Sequence, residues 1–203
     1  MRISVEGGDP ESARVVVVLL HGGGASALDV LALSQEFPPG DDLCWLAPQA
    51  LNARWYPQPG GESRNVQEPH LTVSAKSVLG LLENHASQRL VLMGFADGAG
   101  VVGEILCDPD LPGSVKAAWL ASGALVGPQD HWPQRPKLSP SLSVLLSGGR
   151  NLPDPSEERL TDTVRFFQAA GAKVTRYLYD GSAPVIHAEE LKLAQNLLRE
   201  VRA

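Results

Sequence analysis

The chain has 203 residues, 43% apolar and 20% charged, enough for one sizeable core and one domain over residues 1–203. Its 17 Lys and Arg against 23 Asp and Glu leave a net charge of −6, and without a clustered cationic run this disfavours nucleic acid and anionic membrane surfaces as partners. The opening MRISVEGGDP lacks the apolar stretch of a signal peptide and the longest apolar run, Val15 to Leu20, is far too short for a membrane span, so the expected location is a reducing cytoplasm.

Taken in order, Arg2 to Val5 and Val15 to Leu20 read as strands, followed by a glycine cluster and helical spacing over Ala27 to Gln35. Leu43 to Ala47 is the next strand, then an irregular stretch from Pro48 to Pro69 and a helix over Thr72 to Ala86. Arg89 to Met93 and Val115 to Ala121 read as strands on either side of a helix at Ala99 to Cys107. A Pro-rich irregular stretch, Ser122 to Pro140, precedes a strand at Ser143 to Ser147 and a helix at Thr161 to Ala170, which Gly171 and Ala172 stop. Lys173 to Tyr179 and Ala188 to Val201 complete the chain as strand and helix. Runs such as VVVVLL are apolar on both faces, which suits strands covered on each side. The alternation predicts an α/β fold, a mostly parallel, doubly wound sheet flanked by helices on both faces. Sheets of this kind bind ligands beyond the carboxyl ends of their strands, so the two irregular stretches are candidate pocket walls.

Cys44 and Cys107 are too few and too far apart for a disulfide framework or a structural zinc site, and read as buried thiols. His70, His85 and His131 have no neighbour at metal-ligand spacing, so no metal is expected. No cofactor is expected either.

After the second strand, His21-Gly22-Gly23-Gly24-Ala25-Ser26-Ala27 has three readings. As G-x-G-x-x-A it fits a dinucleotide fingerprint, but the following strand ends in Pro48-Gln49, not in the acid that would hold a ribose. As a His-Gly-Gly-Gly turn it fits an oxyanion-hole loop, whose backbone N–H groups point at a developing negative oxygen. Its third reading is a tight turn without a ligand. Gly94-Phe95-Ala96-Asp97-Gly98 between strand and helix has the frame of the G-x-S-x-G nucleophile elbow, with Ala96 where the serine would be. A methyl group cannot attack an acyl carbon. Asp97 is a poor nucleophile in a shifted frame, because Phe95 would then crowd the turn.

With these motifs, in this order, the chain resembles the phospholipase/carboxylesterase branch of the α/β-hydrolase fold, the small serine esterases that include acyl-protein thioesterases. The resemblance covers nearly the whole chain and rests on LLHGGGAS, APQALNARWY, LMGFADGAG, AAWLASG, SVLLSGGRN and YDGSAPVIHAEEL. It implies an α/β-hydrolase fold with minimal or no cap domain, and oxyanion donors at Gly22, Gly23 and the backbone of Asp97. Laid over the family pattern, Asn151 stands at the position of the catalytic acid and Pro184 at that of the histidine, so all three triad positions are changed. The expected function is therefore non-catalytic binding of a small ester-like, apolar or acidic-headed ligand or of a protein partner, a second copy or an active relative. The alternative is an ester hydrolase with a relocated constellation, in which Asp154 and His187, each three residues beyond the changed positions, act with water or a hydroxyl such as Ser26. Asp97 either lies near the oxyanion hole and opposes it, or complements the helix N-terminus and points away. Trp55, Tyr56 and Trp132 are candidate pocket aromatics or loop anchors.

Overall fold

The structure, a computed structural model, describes all residues 1–203. Seven strands form one sheet: β1 (Ile3–Gly7), β2 (Val15–Leu20), β3 (Leu43–Pro48), β4 (Arg89–Phe95), β5 (Val115–Ala121), β6 (Ser143–Gly149) and β7 (Lys173–Tyr179). Their spatial order is β1-β3-β2-β4-β5-β6-β7. Every neighbouring pair is parallel except β1 with β3, which is antiparallel with Ile3 opposite Pro48 and Gly7 opposite Cys44. Six helices connect them: α1 (Ala27–Leu31), α2 (Arg64–Gln67), α3 (His70–Asn84), α4 (Asp97–Cys107), α5 (Glu157–Ala169) and α6 (Ala188–Arg202).

The period of two along β2 explains why its whole length is apolar. Val16, Val18 and Leu20 enter the core shared with α3, α4 and α5, whereas Val15, Val17 and Leu19 enter the core under α1 and α6. Both faces of the central strands are therefore dry, while the edge strand β1 leaves Ile3 and Val5 exposed. The two cysteines are packing groups, Cys44 buried and Cys107 half-buried, with burial raising the Cys44 thiol to about 11.

Helix starts follow local chemistry. Ser26 and Asp29 form a capping box on α1, and the Ser156 hydroxyl accepts the Arg159 N–H at the start of α5. That cap, with Glu157 and Glu158 in the first turn, starts α5 at Glu157 rather than at the Thr161 suggested by apolar spacing alone. The expected stop holds: α5 ends at Ala169 and Gly171 takes φ +104°. After Leu31 the first helix tightens into a 3₁₀ turn, Ala32–Glu36. The stretch Pro48 to Pro69 is not wholly irregular, since it contains a 3₁₀ turn at Leu51–Ala53 and α2. Neither long connection forms a cap domain, and no helix is long and apolar enough to cross a membrane. The loops after β2, β4, β6 and β7 all leave the carboxyl edge of the sheet, which brings the sequence-predicted motifs to one end of the molecule.

Candidate functional site

At the end of β4 the chain turns into α4 through Ala96, held at φ +49°, ψ −114°. A non-glycine residue in that region costs on the order of 1–3 kcal/mol, and the surroundings here leave it no alternative. Its N–H donates to Ala121 O on β5 (2.9 Å) and its carbonyl accepts from Gly100 (3.3 Å). A Cβ on Gly94 would lie 2.4 Å from Gly98 O, and one on Gly98 would lie 2.3 Å from Leu20 O. Glycine is thus required on both sides of the turn by backbone contact. The elbow is built in full, with a methyl at its apex.

The Gly22–Gly24 loop crosses this apex. A Cβ on Gly22 would lie 3.5 Å from the Ala96 methyl and 3.4 Å from the Phe95 ring, which favours the elbow-facing reading of the cluster over a dinucleotide turn. Four bonds pin the loop: Trp55 Nε1–H to His21 O (2.7 Å), Gly24 N–H to Ala53 O (2.8 Å), Ala27 N–H to Gln49 Oε1 (2.8 Å), and His21 Nδ1–H to Gly22 O (2.8 Å). His21 is fully buried, stacks on Trp55 at 5.0 Å, and accepts the Ala50 N–H at Nε2 (3.1 Å). Accepting that bond requires a bare Nε2, so the ring is neutral, and burial lowers its pKa below 6.5. A folded pKa below the unfolded one means that the unfolded chain takes up the proton first. The stability contributed by neutral His21 is complete above pH 6.5 and declines below it, by at most about 1.4 kcal/mol per pH unit. Imidazole NMR should show His21 in the Nδ1–H form with a midpoint under 6.5; a midpoint above that value contradicts this assignment.

Asp97, the first residue of α4, turns its carboxylate toward the loop: a Cβ on Gly23 would lie 2.2 Å from Asp97 Oδ2. The carboxylate thus lies beside the Gly22–Gly24 loop and does not point away from it. The carboxylate makes no hydrogen bond or ion pair within the protein, and burial raises its pKa, opposed by Arg54 and reinforced by Asp154. Tyr56 lies beside it, 3% exposed, with its hydroxyl in the space that side chains on Gly60 and Gly100 would fill. Burial first, then the Asp97 charge, hold the phenol protonated well above its ordinary range. Trp55 and Tyr56 are therefore buried supports of the cleft rather than walls of an open acyl pocket. Trp132 is a loop anchor, edge-on to Phe166 at 5.6 Å with its N–H on Gly127 O (2.9 Å).

The loops after β6 and β7 lie side by side, as Arg150 N–H donates to Tyr179 O (2.9 Å) and Asn151 N–H to Gly181 O (3.0 Å). Asn151 and Pro184 are both exposed. The structure does not join Asp154 to His187. Asp154 pairs with Arg159 (2.6 Å) and accepts the Gly61 N–H (3.2 Å), whereas His187 is the N-cap residue of α6, its backbone N–H donating to Glu190 Oε2 (3.2 Å) and its ring stacking on Tyr179 at 4.1 Å. The Ser26 hydroxyl donates to Asp29 Oδ2 (2.8 Å) as part of its cap.

Sequence reasoning passed over a second polar lattice under these loops. Trp119 Nε1–H donates to Ser147 Oγ (2.8 Å), Ser147 donates to the fully buried Glu190, and Glu190 accepts the His187 N–H (3.2 Å). Ser122 bonds Tyr179 Oη (3.1 Å), which donates to Ala183 O (3.0 Å). The capping spacing from His187 to Glu190 was the one legible sign of it; the cross-strand partners were not. This lattice ties the two loops to β5, β6 and the start of α6. A groove of about 640 Å³ lies between the end of α4 and the Pro133–Ser139 segment, away from the elbow.

No protein-family model matches this chain, and no curated protein does. Solved structures match it closely in shape. A phospholipase/carboxylesterase from Dyadobacter fermentans DSM 18053 aligns with a TM-score of 0.83 at 23% identity, over 97% of this chain and 96% of that one. The Bacillus cereus carboxylesterase gives 0.78 at 20% identity, covering 99% and 94% of the two chains. Zea mays acyl-protein thioesterase 2 gives 0.76 at 18% identity, covering 100% and 99%. Likeness at these identities is a likeness of fold: with its antiparallel first strand, its strand–elbow–helix turn and no cap, this chain has the α/β-hydrolase fold that those proteins share.

Proposed function

We propose that this chain is a non-hydrolytic α/β-hydrolase-fold protein whose elbow cleft binds a small ligand without covalent acyl transfer. The observation that carries this reading is the complete elbow with a methyl at its apex, Ala96, flanked by a carboxylate where an oxyanion would develop. A negative side chain beside Gly23 opposes the charge that ester cleavage creates, so the site disfavours the transition state as well as lacking the nucleophile. Asn151 and Pro184 at the positions the resemblance assigns to acid and base support the same reading, as do the other engagements of Asp154 and His187.

Restoring the hydroxyl alone tests it. Ala96→Ser should remain unlabelled by a fluorophosphonate and should turn over p-nitrophenyl acetate no faster than wild type. An unassisted serine lacks the base on which most of the roughly millionfold triad effect depends. Wild-type ester turnover that disappears in Asp154→Ala or His187→Ala would overturn the proposal in favour of a relocated constellation.

A further inference from the structure

β1 closes one edge of the sheet and pairs with β3 alone. Gly8 N–H donates to Leu43 O (2.9 Å) and Gln49 N–H to Arg2 O (2.8 Å), one step beyond the Gly7–Cys44 and Ile3–Pro48 pairs that end the ladder. Hydrogen-bonded pairs in an antiparallel ladder recur at every second residue. Arg2, Ser4, Glu6 and Gly8 therefore turn their main-chain groups toward β3, and Ile3, Val5 and Gly7 turn theirs outward, to a side with no neighbouring strand. Such a row of open donors and acceptors is a template for another strand, and edges are ordinarily defended by charge. At the opposite edge β7 exposes Lys173 and Arg176. β1 instead exposes Ile3 (37%) and Val5 (51%) between Arg2 and Glu6, two exposed charges of opposite sign that form no ion pair within the chain.

The order of these residues is self-complementary about Ser4: cation, apolar, hydroxyl, apolar, anion. A two-fold axis through Ser4 sets Ile3 against Val5 of a second copy, and Arg2 against its Glu6. Ile3 and Val5 are the residues whose amides face outward, so they exchange main-chain hydrogen bonds. Arg2 and Glu6 then fall at the alternate pairs, where side chains across a ladder come closest. Slipping the register by two residues sets Arg2 or Glu6 against Ser4 and loses both ion pairs. Ile3 and Val5 also lie on the sheet face of their β3 partners Pro48 and Leu46, and Leu46 belongs to the core under α3, α4 and α5. Four apolar side chains from two copies would thus continue that core across the junction.

We propose that two copies of this chain associate through β1, antiparallel and two-fold about Ser4, into one continuous sheet with Arg2 of each copy paired to Glu6 of the other. A single strand pair is a small contact, so the association is a weak one in the micromolar range. It is independent of what the elbow cleft binds or fails to cleave.

Sedimentation velocity of the full chain at low ionic strength, from about 5 to about 500 μM, should show a concentration-dependent monomer–dimer equilibrium. Arg2→Glu alone, or Glu6→Arg alone, should weaken it about tenfold or more, because each makes two attractive pairs repulsive. Both side chains are exposed and unpaired in the single chain, so these changes leave the fold intact. The double change Arg2→Glu with Glu6→Arg should restore the affinity to within about threefold of wild type. An equimolar mixture of the two single variants should form a heterodimer, since every charge pair across the junction is then of opposite sign. A chain that stays monomeric throughout the range overturns the assignment and leaves the edge to a strand of another protein. So does a dimer whose affinity neither single change alters, or one that the double change and the mixture both fail to restore.

Discussion

Gly98→Ala should destabilise the protein by more than about 3 kcal/mol, although alanine is the better helix former. In a free helix the exchange would add about 1 kcal/mol of stability, and Gly98 is the second residue of α4. The sign reverses because the new methyl would lie 2.3 Å from Leu20 O and 2.7 Å from His21 O. Both obstacles are backbone atoms at the end of β2, so relief requires moving a central strand or the glycine loop instead of a flexible side chain. Overpacking of this kind ordinarily costs 1–3 kcal/mol, and a contact with fixed backbone belongs at or beyond the upper end. For a domain of this size the melting temperature should fall by roughly 6–12 °C. Gly80→Ala in α3 is the control, because its Cβ would meet nothing within 4 Å and should give a gain of about 0.4–1 kcal/mol. A melting temperature for Gly98→Ala within about 1 °C of wild type would show that the elbow is looser than described.

Arg64→Ala should cost about 3–5 kcal/mol at neutral pH through the charge it leaves behind. Both guanidinium nitrogens hold Glu104, Nη1 to Oε1 and Nη2 to Oε2 at 2.7 Å each, and the Glu104 side chain is only 6% exposed. Burial already raises the Glu104 pKa above 4.5 despite the opposing bonds from Arg64. Without the arginine that pKa rises further. The group then binds its proton more tightly when folded than when unfolded, so its contribution is favourable below the unfolded value and is lost as pH climbs through the folded one. Urea midpoints of Arg64→Ala should therefore approach wild type as pH falls toward 4.5, fall progressively behind it as pH rises toward the folded pKa, and keep a constant deficit above it. The double change Arg64→Met with Glu104→Leu should be close to neutral, since replacing both partners leaves no uncompensated charge. A pH-independent deficit in Arg64→Ala would mean that lost packing, not the stranded carboxylate, dominates.

How much of this could be read in advance depended on whether the cause was local. All seven strands were legible because each is rich in apolar, β-branched or aromatic residues, and the elbow was legible because Gly94 and Gly98 are fixed by a turn of five residues. The start of α5 was misplaced because apolar spacing ignores Ser156, whose cap adds a turn before the first buried side chain. The short helix α2 was missed for the same kind of reason: a four-residue segment has almost no period, and its Arg64 is held by Glu104 on α4. Asp154 and His187 looked like a pair by their equal offsets along the chain. Each has a nearer partner in space, Arg159 for one and the α6 cap for the other.

The sequence alone determined the alternation of strands and helices, the frame of the elbow and the absence of a hydroxyl at its apex, since these depend on residue type and on spacing within a few positions. Only the tertiary structure decided where the Asp97 carboxylate points, that His21 is a neutral tie for the glycine loop, and that Tyr56 closes the cleft from inside. Each of these is set by contacts between segments tens of residues apart, and such contacts leave no periodic mark along the chain. A side chain's charge is written in its own letter, whereas its neighbours, and with them its proton affinity, are supplied by the packing of the sheet.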